Sequence, residues 1–281
     1  MEYAIEFEHI SKSYTAEEVV LRDINLSIRE GEFVVLLGQS GCGKTTLLKM
    51  VNKLIGFDTG YLRVQGRKLS DWDVEVLRRS IGYAIQQVGL FPHLRIWENI
   101  SYVLKLQGVP KEQRIDRSAQ LLSLVDLKPE YLMRYPRQLS GGQKQRVGVA
   151  RALAANPSIL LMDEPFAAVD EQTRLQLQEQ LLGIHRKFGQ TVLFVTHDIH
   201  EAFRLANRIV LISEGKIMQD GTKEELVFHP AHPFVRTFLG LKGFSALFDE
   251  KVLSSLYAQV QAGQLSFGQC IDSLSNLSKA R

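Results

Sequence analysis

The chain has 281 residues, 45% of them hydrophobic and 23% charged, the proportions of a globular protein with one large domain or a domain and an appendage. A net charge of +3 with no run of basic residues argues against a nucleic-acid-binding protein, and the two cysteines, Cys42 and Cys270, form neither a disulfide framework nor a metal-ligand spacing, which suits a reducing compartment. The opening MEYAIEFEHI is too acidic for a secretory leader, and no apolar stretch approaches the ~20 residues that cross a bilayer, so a role at a membrane needs spans from another chain.

Residues 4–10 alternate, with Ile5 and Phe7 against Glu6 and Glu8, as on a half-buried strand. Tyr14 follows on a polar turn, Leu26 and Ile28 resume the alternation, and Glu30-Gly31 turns the chain into the apolar run Phe33–Leu37 (FVVLL), the signature of a strand buried on both faces. Residues 38–46 then read GQSGCGKTT, and a helix-compatible segment runs to Val51. Further strands are expected at 60–66 and 81–85, the latter ending at Gln86-Gln87. From about 90 to 157 the pattern is mostly helical, with Leu121, Leu122, Leu124 and Val125 at helical spacing and Pro129 and Pro136 as punctuation. LSGGQ at 139–143 opens a basic helix. Then come a strand (ILLMDEP, 159–165), a polar helix over 171–188, a strand over 191–195 ending at Thr196-His197-Asp198, and a hairpin around Glu214-Gly215. Strands alternating with helices predict an α/β fold with a mainly parallel sheet, N-terminal antiparallel strands and an inserted helical subdomain.

Gly38, Gly43, Lys44 and Thr45 fit G-x-x-x-x-G-K-[ST], a phosphate-binding loop. Glycine lets the backbone wrap a polyphosphate with N–H groups, and the helix that follows offers its N-terminal dipole. Lys44 would reach the β- and γ-phosphates, and Thr45 would offer its hydroxyl to Mg²⁺. Asp163 and Glu164 end an apolar strand and point to opposite sides, so they can do different jobs: Asp163 suits Mg²⁺, and Glu164 suits a general base acting on water. Cys42, inside the loop at a helix N-terminus, is either a reactive thiol or a small buried filler. His197 and His200 with Glu201 resemble a metal pair, but no third ligand has suitable spacing.

The order GQSGCGKTT, Gln86, LSGGQ, LLMDEP, Asp170 and His197 resembles the ATPase subunit of ATP-binding cassette (ABC) transporters over about residues 3–240. LSGGQ is the discriminating element. The resemblance implies a head-to-tail homodimer holding two ATP molecules with Mg²⁺. Each ATP would lie on one subunit's Gly38, Gln39, Ser40, Gly41, Cys42, Gly43, Lys44, Thr45 and Thr46, and would be closed by the partner's signature turn, built from Ser140, Gly141, Gly142 and Gln143. It further implies that Tyr14 stacks on adenine, that Gln86 touches the metal or the attacking water and senses the membrane subunits, that His197 bonds the γ-phosphate, and that Asp170 lies on the loop crossing the interface. A packed surface position remains open for Tyr14, and Gln87 competes with Gln86 for its role. One departure is Val169, where the family usually has Leu before the interface Asp.

IGYAIQQVGLFPH, QKQRVGVARALAANP and MDEPFAAVD look like the importer ATPases for glycine betaine, choline and carnitine. That implies membrane permease subunits, indirectly a solute-binding protein, no nucleic acid, and a peripheral place on the cytoplasmic face of the membrane. The alternatives are a soluble ABC-type ATPase acting on macromolecules, and the ATPase of an exporter or of an importer for another solute. Larger members of the importer group carry a pair of CBS regulatory modules. Residues 241–281 are too short for that pair and are read as two helices, one on Phe248, Val252, Leu253, Leu256 and Val260, the other on Phe267, Cys270, Ile271 and Leu274.

Overall fold

The computed structural model describes residues 3–15, 18–86, 88–247, 250–266 and 268–269. In chain order the elements are β1 (Tyr3–Ser13), β2 (Val19–Arg29), β3 (Phe33–Leu37), α1 (Lys44–Val51), β4 (Thr59–Val64), β5 (Arg67–Lys68), α2 (Val74–Ser80), β6 (Ile81–Ala84), α3 (Ile96–Ile100), α4 (Tyr102–Leu106), α5 (Lys111–Leu124) and α6 (Gly141–Ala152). They continue with β7 (Ile159–Asp163), α7 (Glu171–Phe188), β8 (Thr191–Thr196), α8 (Ile199–Leu205), β9 (Arg208–Ser213), β10 (Lys216–Gly221), α9 (Lys223–Phe228), α10 (Pro233–Ala246) and α11 (Glu250–Gln261).

Two sheets organise the chain. The first is antiparallel, in the order β2-β1-β4-β5, and the second runs β10-β9-β3-β8-β7-β6. The second is parallel apart from β10, which returns antiparallel on β9 through Glu214 and Gly215, both at positive φ. Its central strands are buried on both faces, which is why they read as unbroken apolar runs. Val34, Leu36, Leu161, Leu193 and Val195 face α1 and the antiparallel sheet. Phe33, Val35, Leu37, Met162 and Phe194 face the other way, in one core with residues of α6, α7 and α8. The inserted helical segment, α3 to α6, joins that second core through Ile96, Ile100, Leu121, Leu122 and Val147.

The register places the function. Leu37 pairs with Thr196, Asp163 with Val195, and Ala84 with Met162. The chain leaving β3, β6, β7 and β8 therefore emerges at one edge of the sheet, the carboxyl edge, where open α/β sheets bind ligands. The tail begins inside α10, which breaks at Gly240 (φ 45°). Helix α11 covers most of the first expected tail segment. Phe248, Phe267, Cys270, Ile271 and Leu274 lie outside the described residues.

Candidate nucleotide-hydrolysis site

The loop from Gly38 to Gly43 joins β3 to α1. A Cβ on Gly38 would meet the Ile212 carbonyl oxygen at 2.2 Å, and one on Gly43, at φ 103°, would meet Leu21 at 2.5 Å, so neither position admits another residue without movement. Gln39, Ser40 and Gly41 are exposed at the tip, while Cys42, Gly43, Lys44 and Thr46 are buried. The Lys44 ammonium donates to the carbonyl oxygens of Gly38 (2.8 Å) and Gln39 (2.7 Å), and lies 3.7 Å from Cys42 Sγ. A buried cation thus sits within the curl of the loop at the positive end of α1, an arrangement suited to a polyphosphate.

Thr45 Oγ1 donates to Asp163 Oδ1 at 2.7 Å, tying the first turn of α1 to the end of β7. Burial pushes the Asp163 carboxyl above its usual range, while the Thr45 bond and the Lys49 charge oppose that shift. The next residue turns away: Glu164 has φ 44°, a left-handed backbone unusual for a side chain with a Cβ, and its N–H donates to the Val195 carbonyl. Its carboxylate receives Gln86 Nε2 at one oxygen and His197 Nδ1 at the other, both at 3.1 Å. Two residues far apart in sequence thus converge on one carboxylate at the sheet edge. A carboxylate held at both oxygens, on a backbone fixed by β8, is a positioned proton acceptor.

The donors for a divalent ion are hard oxygens: the Thr45 hydroxyl, the Asp163 carboxylate and the Gln86 amide carbonyl, whose NH₂ is engaged by Glu164. That set fits Mg²⁺. The Tyr83 hydroxyl is buried without a partner, and burial together with the Asp163 charge holds it well above its usual range. The alternative metal pair gains no support: among the described residues no group of three or more His, Cys, Asp or Glu is placed to hold an ion. Glu201 is buried and accepts from Gln178, whereas His200 is exposed.

Ser140 caps α6. Its hydroxyl accepts from Gln143 N–H, and the Gln143 side chain accepts from Ser140 N–H, a reciprocal pair that leaves the Gly141 and Gly142 N–H groups at an open helix end. Ser140 and Gly141 are exposed, and among the described residues no hydrogen bond joins 140–143 to the phosphate loop. Asp170 caps α7 by accepting from Thr173 N–H, which holds its carboxyl below the usual range. Tyr14 is 53% exposed just beyond β1, with the Lys12 ammonium 5.9 Å from its ring, so a face is open for stacking. Gln87 lies outside the described residues.

Three residues of this region carry no sequence signal. Gln145 is 5% exposed and bonds the backbone after β7, Arg174 donates to the Val169 carbonyl, and Tyr83 faces Asp163 from the neighbouring strand. Each reads in sequence as an ordinary member of its helix or strand.

A phosphate loop on β3, a carboxylate pair ending β7 and a helical insertion bearing an exposed glycine-flanked helix start define a nucleotide-binding cassette. A family model described as ABC transporter matches residues 21–167, and the chain belongs to that family. It is 50% identical over 236 residues to the glycine betaine/carnitine/choline transport ATP-binding protein OpuCA of Bacillus subtilis, covering 84% of this chain and 62% of that one. It is 49% identical over 236 residues to the glycine betaine uptake system ATP-binding protein YehX of Escherichia coli, covering 84% and 76%. The match to OpuCA therefore spans about three fifths of that longer relative. Among solved structures, the dimeric ATP-binding cassette MJ0796 bound to ADP and Pi superposes with a TM-score of 0.73 at 34% identity, over 78% of this chain and 98% of that one.

Proposed function

We propose that this chain is the ATP-hydrolysing subunit of an importer for quaternary-amine osmoprotectants. The convergence of Gln86 and His197 on Glu164 carries the hydrolytic reading. Lys44 and the loop N–H groups bind the phosphates, Glu164 accepts a proton from the attacking water, His197 orients that carboxylate and bonds the γ-phosphate, and Gln86 holds the water or metal. Mg²⁺, when bound by Thr45, Asp163 and Gln86, neutralises charge on the β- and γ-phosphates. The exposed helix start at Ser140 suits an anion, and among the described residues no hydrogen bond joins it to the phosphate loop of its own subunit. A head-to-tail dimer supplies the anion, setting each signature turn against the partner's nucleotide. The dimeric state of the similar cassette MJ0796 supports this arrangement.

The solute class rests on the names of the relatives, several of which transport glycine betaine, choline or carnitine. Among the described residues no helix is long and apolar enough to cross a membrane, so transport needs permease subunits, with this chain bound peripherally at their cytoplasmic face and a solute-binding protein acting through them. Residues 1–240 form the catalytic domain, with the helical subdomain at about 90–157, and 241–281 form a non-catalytic tail. A second reading, a polyamine importer, has weaker support: the spermidine/putrescine import protein PotA of Haemophilus influenzae is 42% identical over 236 residues. The test is copurification of this chain with its permease, followed by ATP-dependent uptake of labelled glycine betaine, choline and spermidine into vesicles. Uptake of the quaternary amines alone is expected. Uptake of spermidine alone, or copurification with no membrane partner, contradicts the reading.

A further inference from the structure

Helix α6 does more than present Ser140. One and a half turns along it, Gln145 is buried, and its side-chain oxygen accepts a hydrogen bond from Ala168 N–H at 2.9 Å. Ala168 lies four residues beyond Glu164 on the turn that ends at Asp170. That turn is fixed elsewhere by its own backbone, Ala167 N–H to Glu164 O and Val169 N–H to Phe166 O, and by Arg174 donating to Val169 O. Phe166 and Val169 anchor it in the core. The helix also approaches it closely, since a Cβ on Gly142 would stand 3.3 Å from the Ala168 carbonyl oxygen. A buried amide and a bare glycine thus fix the start of α6 to the chain that carries the general base.

We propose that Gln145 is a positioning residue that couples the two nucleotide sites of the dimer. The inference rests on the head-to-tail arrangement, in which a subunit's Ser140 serves the partner's nucleotide and its Glu164 serves its own. The Gln145–Ala168 bond then links the two within a subunit: a shift of α6 as Ser140 engages the partner's γ-phosphate is passed to the turn after Glu164. Packed side chains and hydrogen bonds are the physical carriers of such coupling. Gln145 touches neither nucleotide nor reacting atoms.

The test compares the full-length chain with Gln145→Met, which keeps length and volume but has no strong acceptor, and with Gln145→Asn, which keeps the amide but withdraws it by one methylene. Gln145→Glu retains an acceptor oxygen at the same reach. Four readouts are taken: melting temperature, binding of a fluorescent ATP analogue without Mg²⁺, kcat, and the Hill coefficient for Mg·ATP. The Met and Asn variants are expected to melt and bind as the wild type does, while kcat falls by roughly tenfold, within the range for mutations on coupling routes, and the Hill coefficient drops toward one. Gln145→Glu is expected to recover most of both. Unchanged kcat and Hill coefficient overturn the proposal. So does a loss of kcat matched by equal losses of melting temperature and analogue binding, which marks a merely structural residue. If one variant does not fold, the other is read by the same criteria, and collapse of both is that structural outcome. A wild-type protein that neither hydrolyses ATP nor pairs sinks the functional reading itself; an active wild type beside indifferent variants sinks only this inference.

Discussion

Replacing Glu164 by Gln separates proton transfer from binding. Glutamine keeps the size and one acceptor oxygen, so of the two 3.1 Å contacts to Gln86 and His197 one survives directly. The other re-forms if His197 carries its proton on Nε2, because the new NH₂ then donates to the bare Nδ1 and Gln86 keeps both its bond and its carbonyl for the metal. The left-handed backbone at 164 is no harder for Gln than for Glu. The cost to the fold is thus at most one hydrogen bond, about 1 kcal/mol, or a melting shift of no more than about 4 °C for a domain of this size. The chemical step loses its base. Positioned general bases contribute about 10²–10⁴-fold, about 3–5 kcal/mol of barrier at ~1.4 kcal/mol per decade. Removing a negative charge beside the γ-phosphate also eases closure of the dimer. Phosphate release at saturating Mg·ATP should fall by that factor, with nucleotide affinity held and a closed dimer accumulating on size-exclusion chromatography. Turnover within about threefold of wild type, far short of the range for a lost base, places the base elsewhere and refutes the reading of this strand end.

Asp163→Asn removes a buried charge while keeping an acceptor for Thr45, so the nucleotide-free protein should melt no lower than wild type, but the stabilisation by Mg·ATP, about 2.7 kcal/mol at a hundredfold excess over Kd, should be lost; a retained Mg·ATP shift speaks against Asp163 as the metal carboxylate. Tyr14→Ala should raise KM for ATP by the equivalent of ~1–3 kcal/mol of stacking and leave kcat unchanged, which steady-state kinetics checks; an unchanged KM rejects adenine stacking. Cys42 is 8% exposed beside the Lys44 ammonium, so maleimide labelling should be slow, should abolish nucleotide binding, and should be blocked by bound ATP; equal labelling with and without nucleotide makes the thiol an inert filler. Deleting 241–281 cuts α10 at its break and removes the Phe244 ring that meets Phe228, so stability should fall modestly while hydrolysis per folded subunit persists; loss of nucleotide binding in a folded truncation contradicts a non-catalytic tail.

What the sequence made legible was local. FVVLL, ILLMD and TVLFV read as buried strands because a parallel strand is apolar on both faces, and the phosphate loop and the 171–188 helix carry their own turn and cap residues. The resemblance then supplied roles for Gln86 and His197. Their meeting on Glu164 was not readable from spacing: it depends on β6, β7 and β8 lying side by side in register, which sequence separations of 78 and 33 residues do not show. The bulges that let β1 and β2 pair over eleven residues rest on His9 and Asp23 at positive φ, residue types that tolerate that backbone more than most but occur too often elsewhere to mark a bulge. Gln145 was invisible for a different reason: a polar residue on a basic helix reads as solvated, and only the packing of α6 against the turn after Glu164 buries it.

The claim on which the rest depends is that each nucleotide site is shared between two subunits, and a mixing experiment tests it. Lys44→Ala removes the cation of the phosphate loop, and Ser140→Arg blocks the exposed start of α6, which a shared site would set against the partner's nucleotide. Each variant alone should be inactive. In a mixed head-to-tail dimer one site carries both lesions and the other carries neither, so random mixing should restore phosphate release to at most about a quarter of the wild-type rate per subunit, and to about a tenth of that ceiling where coupling through Gln145 operates, because the subunit with the intact loop lacks its own Ser140 contact. A mixture as inactive as its components, from proteins shown to exchange subunits, would mean that the loop and signature turn of one chain act on the same nucleotide, and would contradict the shared site.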